Sequence, residues 1–170
     1  MILYNYSNFN NNLIEKMYNF SNPIKDEHIP LIIKDFNKIE YKWHNPEVVV
    51  SLGYFNWTRT NYNSKRKPNI KILVNSNFNK FPFICKGFKN YYGEEYLEKE
   101  FKNNEEVLLT TIAHELYHYK QFKDKTAYKE KDADTYAIKK LDEWRTIMAS
   151  SHIQPFQEKL YEQESYSPNH

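Results

Sequence analysis

The chain has 170 residues, a formal net charge of +2 and a single cysteine, Cys85. This length suits one domain with a substantial hydrophobic core, and the near-neutral charge creates no field that favours nucleic acid or a membrane surface. One cysteine excludes an intrachain disulfide framework and favours a reducing compartment. We therefore expect a single domain over residues 1–170 that is monomeric.

The first part of the chain, about residues 1–101, is predicted to combine helices with a small sheet. Apolar residues recur at helical spacing over about Ser7–Phe20 and from Pro30 to about Trp43, so each run predicts a helix. The β-branched and aromatic run Val48–Phe55 and the partly alternating run Asn69–Asn75 predict two strands joined as a hairpin. A further short helix is expected over about Glu94–Phe101.

The second part, about residues 103–147, is predicted to form two longer helices. Asn103 or Asn104 can cap the first of them, with Glu105 and Glu106 in its favourable first turn. The second is expected from about Thr126 or Ala127 to Ile147, with a buried stripe that comprises Glu130, Asp134, Ala137, Leu141 and Trp144. Within residues 148–170 we expect a short helix over Phe156–Glu162 and then a polar tail. The predicted class is α+β, a small antiparallel sheet packed on helices.

Targeting signals are not evident in the sequence. The N-terminus lacks a basic region followed by a continuous apolar run, as a signal peptide would require, and no apolar stretch approaches the length of a transmembrane helix. We therefore expect a soluble cytoplasmic protein that does not enter a membrane.

The most informative motif is His114-Glu115-Leu116-Tyr117-His118, an HExxH sequence within the first of the two longer helices. Histidines four residues apart leave a helix on the same face about one turn apart, so both imidazoles can bind one zinc ion. Glu115 is rotated by about 100° from His114 and can reach a water molecule at the metal without being a ligand. The motif therefore predicts a zinc site.

A catalytic zinc ion usually takes a third protein ligand. Glu130 and Asp134 are one helical turn apart on the next predicted helix, so both carboxylates can face the motif helix. The geometry of a site with two histidines and one carboxylate favours Glu130 over Asp134. A ligating histidine also needs an acceptor for its other ring N–H, and Asp134 is well placed to accept from His114.

The segment from Val107 to Trp144 resembles the gluzincin clan of zinc metallopeptidases, on HELYH followed by E-x-x-A-D, and its short spacing is most similar to the minimal single-domain members. The resemblance implies that His114, His118 and Glu130 hold one zinc ion per chain and that Asp134 orients His114. It also implies hydrolysis of peptide bonds in a protein or peptide substrate, with Glu115 as the general base. The strand that carries Ile70, Ile72 and Val74 is then expected to pair with extended substrate, although it also fits an ordinary sheet strand.

The residue that stabilises the oxyanion is left open by the sequence. The candidates are Tyr117, Tyr119, Tyr128, Tyr136 and His152.

The sequence also leaves open two functions other than that of a plain peptidase. The basic run Lys65, Arg66 and Lys67, near aromatic residues, could contact nucleic acid in a protease that acts on DNA-bound proteins, although such runs are more often solvated loops. The chain could also be a zinc-stabilised interaction module without catalysis. Replacing Glu115 with glutamine distinguishes the two, because it should abolish turnover in an enzyme while leaving zinc binding and the fold intact.

Overall fold

The computed structural model describes residues 2–25, 28–35, 51–56, 68–89, 93 and 95–151. A sheet of four strands, in the order β1-β2-β4-β3, forms the centre of this part of the chain. The elements in chain order are β1 (Leu3–Tyr6), α1 (Asn11–Ser21), β2 (Leu31–Asp35), β3 (Ser51–Asn56), β4 (Asn69–Val74), β5 (Phe83–Cys85), β6 (Phe88–Lys89), β7 (Glu95–Tyr96), β8 (Lys99–Phe101), α2 (Asn104–Lys123) and α3 (Glu130–Ser151).

The α+β class is confirmed, but the strand directions differ from those expected. β1, β2 and β4 run parallel, and β3 alone is antiparallel, to β4. Helix α1 lies between β1 and β2 in the chain and carries it back along the sheet, so these two neighbouring strands point the same way. The expected antiparallel arrangement is therefore wrong for the main sheet except at β3–β4, where the predicted pairing is found.

The helix predicted from Pro30 to about Trp43 is wrong at its start, because Leu31–Asp35 is strand β2. Its side chains alternate between buried and half-buried, and Leu31 and Ile33 are fully buried. β2 lies between β1 and β4, so its backbone groups are bonded on both sides. Residues 36–43 of that prediction lie outside the described residues.

The short helix predicted over Glu94–Phe101 is also wrong. The described part of this segment forms β7 and β8, which belong to two separate two-stranded antiparallel sheets, β6–β7 and β5–β8. This segment passes close to the start of α3, where Leu97 and Lys99 both contact Asp134. The corrected strands therefore matter for the candidate site.

Both long helices are found. Helix α2 begins where the sequence predicts it, whereas α3 begins at Glu130 and ends at Ser151, later at both ends than predicted. The Asn103 side chain accepts a hydrogen bond of 2.9 Å from the Glu106 amide and so caps α2. Helix α2 packs between the sheet and α3, with Leu108, Ile112 and Leu116 fully buried. The predicted stripe of α3 is confirmed, since all of its members are buried: Glu130, Asp134, Ala137, Leu141 and Trp144.

Other sequence predictions are answered only in part. The helix predicted over about Ser7–Phe20 is found as α1. It begins later than predicted, with Asn10 as its N-cap and Asn11 as its first residue. The predicted C-terminal helix over Phe156–Glu162 lies outside the described residues. Within the described ranges, none of the helices is both long and apolar enough to cross a membrane.

Candidate metal centre

The side chains of His114, His118 and Glu130 meet at one point between α2 and α3. His114 Nε2 lies 2.9 Å from His118 Nε2 and 3.0 Å from Glu130 Oε2, and His118 Nε2 lies 3.2 Å from the same oxygen. The residues come from the two helices that the sequence predicts, and each offers one ligand atom to a common centre. Of the described His, Cys, Asp and Glu residues, these three form such a group.

The chemistry of this donor set fits zinc. Two imidazoles and one carboxylate are one of the usual sets of protein ligands of a catalytic zinc ion, whose bonds of about 2.0–2.2 Å place tetrahedral donors about 3.3 Å apart. The three observed separations, 2.9, 3.0 and 3.2 Å, reach that value with shifts of a few tenths of an ångström. Acceptor atoms crowded this closely need a shared positive charge, which either a proton or a metal ion supplies.

The orientation of the His114 ring is fixed by a contact with a charged side chain, Asp134. Its Nδ1 lies 2.8 Å from Asp134 Oδ1, and Asp134 is fully buried. The Asp134 carboxylate also accepts from the Leu97 amide at 2.8 Å and from the Lys99 ammonium. One carboxylate therefore joins the candidate site to the β7–β8 segment and fixes the direction in which the His114 ring points.

His118 is held by an uncharged side chain instead. Its Nδ1 lies 2.8 Å from the Oε1 atom of Gln121, whose amide nitrogen donates to the Lys129 carbonyl at 3.4 Å. Lys129 directly precedes Glu130, so Gln121 links one candidate ligand to the backbone beside another. The ring of Tyr128 stacks on His118 with a centroid separation of 3.8 Å and an angle of 8°.

The pKa values of the site reflect this mutual pairing. Burial lowers the pKa of His114, but hydrogen bonds to Asp134 and Glu130 outweigh it and raise the pKa to about 9. Burial raises the pKa of Glu130, but hydrogen bonds to His114 and His118 lower it to about 2. The pKa of Asp134 is lowered too, because His114 and Lys99 outweigh burial. Both carboxylates are therefore ionised at neutral pH and attract a cation.

Glu115, the expected general base, is 5% exposed and contacts strand β3. It lies on α2 directly after His114, and its negative charge helps to raise the pKa of that histidine. The Glu115 side chain lies against Gly53, where the missing side chain leaves the space that Glu115 occupies.

The strand expected to pair with substrate, that of Ile70, Ile72 and Val74, does not have the exposure this role requires. These side chains are all fully buried in β4, and β4 lies between β2 and β3. Both of its edges are hydrogen-bonded to those neighbours, so no backbone groups remain for a peptide. The ordinary structural interpretation of this strand is therefore the correct one.

The candidate residues for stabilising the oxyanion have different surroundings. Tyr136 donates its hydroxyl to the Ser21 carbonyl at 2.7 Å, and Tyr117 packs against Tyr136. Tyr119 is buried in the core, whereas Tyr128 is 46% exposed beside His118. His152 lies outside the described residues, as does the basic run 65–67.

The sequence analysis missed Leu97, Lys99 and Gly53. Nothing local marks Leu97 or Lys99, since they meet Asp134 across more than thirty residues of chain. Gly53 carried a signal, because an isolated glycine within a strand often marks the close approach of another group. The hydrogen bond between Gln121 and His118 was not predicted either.

Comparison of the chain with protein-family models, with curated proteins and with solved structures finds no match. The resemblance to gluzincins therefore depends on the motif residues and their geometry.

Proposed function

We propose that this protein is a zinc-dependent metallopeptidase of the minimal gluzincin type, with His114, His118 and Glu130 as the ligands of one zinc ion. The observation that carries the proposal is the convergence of these three donors within 3.2 Å of one another beside the glutamate of an HExxH helix. All three belong to one chain, so a monomer is sufficient. The single cysteine is consistent with a reducing compartment, and we propose the cytoplasm.

The reaction requires an activated water molecule and a polarised peptide carbonyl, and zinc bound by these donors would supply the Lewis acidity for both. Glu115 accepts the proton of the attacking water and then delivers it to the leaving nitrogen. Asp134 and Gln121 keep the two histidine rings in the orientations that direct each Nε2 towards the centre.

A peptide substrate in this proposal binds in extended form along β3 rather than β4. Among the described strands, β3 has a neighbour on one side only, and it lies against α2 near Glu115. Pairing through backbone hydrogen bonds depends little on sequence, so the substrate class is an unfolded or extended polypeptide.

The proposal is tested with the purified full chain, zinc and fluorescein-labelled casein. Glu115→Gln keeps the size of the side chain but removes its basicity, so we expect turnover to fall by at least about 100-fold while zinc content is unchanged. Glu105→Gln, at the start of the same helix, is the matched control and should keep its activity. Equal activity in wild type and Glu115→Gln would contradict the proposed mechanism.

A zinc-stabilised module without catalysis is the second candidate, and the deep burial of Glu115 favours it, because a general base must reach substrate. Such a module would bind zinc, unfold at lower temperature without it, and show no turnover in wild type on any member of a diverse peptide mixture analysed by mass spectrometry. Cleavage that depends on Glu115 excludes this candidate.

A further inference from the structure

Gly53 makes an unusually close approach to the Glu115 side chain. A Cβ atom built on Gly53 would overlap Glu115 Oε1 and lie 2.6 Å from Cγ and 2.7 Å from Cδ. All three distances are well below van der Waals contact, so this position on β3 holds Glu115 only while it has no side chain.

The backbone gives no other reason for a glycine here. Gly53 pairs with Ile72 in the middle of the regular β3–β4 ladder, in an extended conformation that any residue adopts. Glycine within a strand weakens it, because it loses more conformational freedom on folding and has no side chain to pack. The loss is offset by the room that the glycine provides for Glu115.

We propose that Gly53 is a positioning residue, which fixes where the Glu115 carboxylate lies between helix α2 and strand β3. The side chain of Glu115 is 5% exposed, so it is confined by its neighbours and cannot turn freely into solvent. A methyl group at position 53 displaces the carboxylate instead. Displacements of about 1 Å in a catalytic group are enough to slow a reaction by about 100-fold.

The contact itself does not depend on the proposed peptidase function, although its catalytic consequence does. Two arms of one experiment keep these apart. The first measures thermal unfolding of the purified full chain in four forms: wild type, Gly53→Ala, Glu115→Ala and the double variant. The second measures casein turnover and zinc content of wild type and Gly53→Ala.

In the first arm, Gly53→Ala should lower Tm by roughly 3–8 °C through overpacking. The same change in the Glu115→Ala background should lower Tm by less than about 1 °C or raise it, because alanine restricts the unfolded chain and the colliding atoms are gone. Equal losses in both backgrounds would overturn the proposal, as would an unfolded double variant. A folded double variant beside an unfolded Gly53→Ala supports it.

In the second arm, Gly53→Ala should keep its zinc and lose about 100-fold in kcat with little change in KM. A merely structural role would lower the active fraction and zinc content together. Full turnover with unchanged kcat would overturn the positioning role. If wild type cleaves no substrate, the peptidase proposal fails while the thermal cycle still decides whether Gly53 accommodates Glu115.

Discussion

The two candidate histidine ligands lie one turn apart on α2, yet their surroundings differ in kind. His114 is backed by a buried ion pair, in which Asp134 also receives Lys99 and the Leu97 amide. His118 is backed by the neutral amide of Gln121 and covered by the ring of Tyr128. The charged side fixes a strand segment to the site, whereas the neutral side fixes the loop before α3. We therefore expect substitutions on the charged side to lower the stability of the fold, and substitutions on the neutral side to lower mainly the affinity for zinc.

The largest effect is expected on the charged side, from Asp134→Ala. It removes the acceptor of three hydrogen bonds and leaves Lys99, whose side chain is 14% exposed, without its carboxylate partner. Breaking a buried pair in this way costs roughly 3–5 kcal/mol of unfolding free energy, which urea denaturation can measure. Asp134→Asn preserves the shape and should lose less. A loss no larger than that caused by Gln121→Ala would contradict the distinction between the two sides.

The pH dependence of zinc binding should reflect the pairing of His114 with its neighbouring carboxylates. Burial lowers the pKa of His114, but Asp134 and Glu130 raise it to about 9, so the metal-free ring is protonated at pH 7. Zinc must displace that proton, and its affinity should rise by about 10-fold per pH unit from pH 7 and level off near pH 9. Calorimetry in buffers of different ionisation enthalpy counts the released proton.

The same pKa shift has a consequence for the metal-free protein. Because the folded pKa of His114 lies above its ordinary value of 6.5, this group stabilises the fold fully below pH 6.5 and loses that contribution as pH rises through about 9. Zinc affinity that does not change between pH 7 and pH 9 would contradict the pairing seen around His114.

On the neutral side, Gln121→Ala should weaken zinc binding by about 10- to 100-fold with a loss of only about 1 kcal/mol in stability. Gln121→Glu is the matched control, because it can still accept from His118 Nδ1 but cannot donate to the Lys129 carbonyl. Its zinc affinity, measured by competition with a chelating dye, should stay near that of wild type. If both variants bind zinc equally weakly, the hydrogen bond to His118 is not the cause.

The smallest effect is expected from Tyr128→Ala, which removes the ring stacked on His118 at 3.8 Å. Stacking of this kind contributes about 0.5–1.5 kcal/mol, so zinc affinity should fall by no more than about 10-fold. Tyr128→Phe keeps the stacking and should bind zinc as wild type does. An equal loss in both variants would assign the effect to the hydroxyl.

The chemistry of the site was more predictable than the fold around it. His114, His118, Glu130 and Asp134 are set by spacing on two helices, and the caps and apolar faces of these helices are local signals. Their convergence agrees with the sequence prediction, while their roles stay predictions. By contrast, Leu31 and Ile32 belong to a short apolar run that fits a helix as well as a strand, and only pairing with β1 and β4 decides in favour of a strand. Such partners are distant in the chain.

The position of the edge strand shows the same limit. The sequence left the strand of Ile70, Ile72 and Val74 open between pairing with substrate and an ordinary place in the sheet, because pattern alone does not distinguish an inner strand from an edge strand. In the structure β4 lies between β2 and β3, inside the sheet, and β3 lies at an edge of the sheet. The contact between Gly53 and Glu115 follows from that order.

The zinc site itself is the central claim, and metal content measured by mass spectrometry tests it most directly. We expect about one zinc ion per purified wild-type chain, and strongly reduced zinc in His118→Ala and Glu130→Ala, each folded by circular dichroism. A folded wild-type protein that contains no zinc and takes up none when it is added would contradict the account.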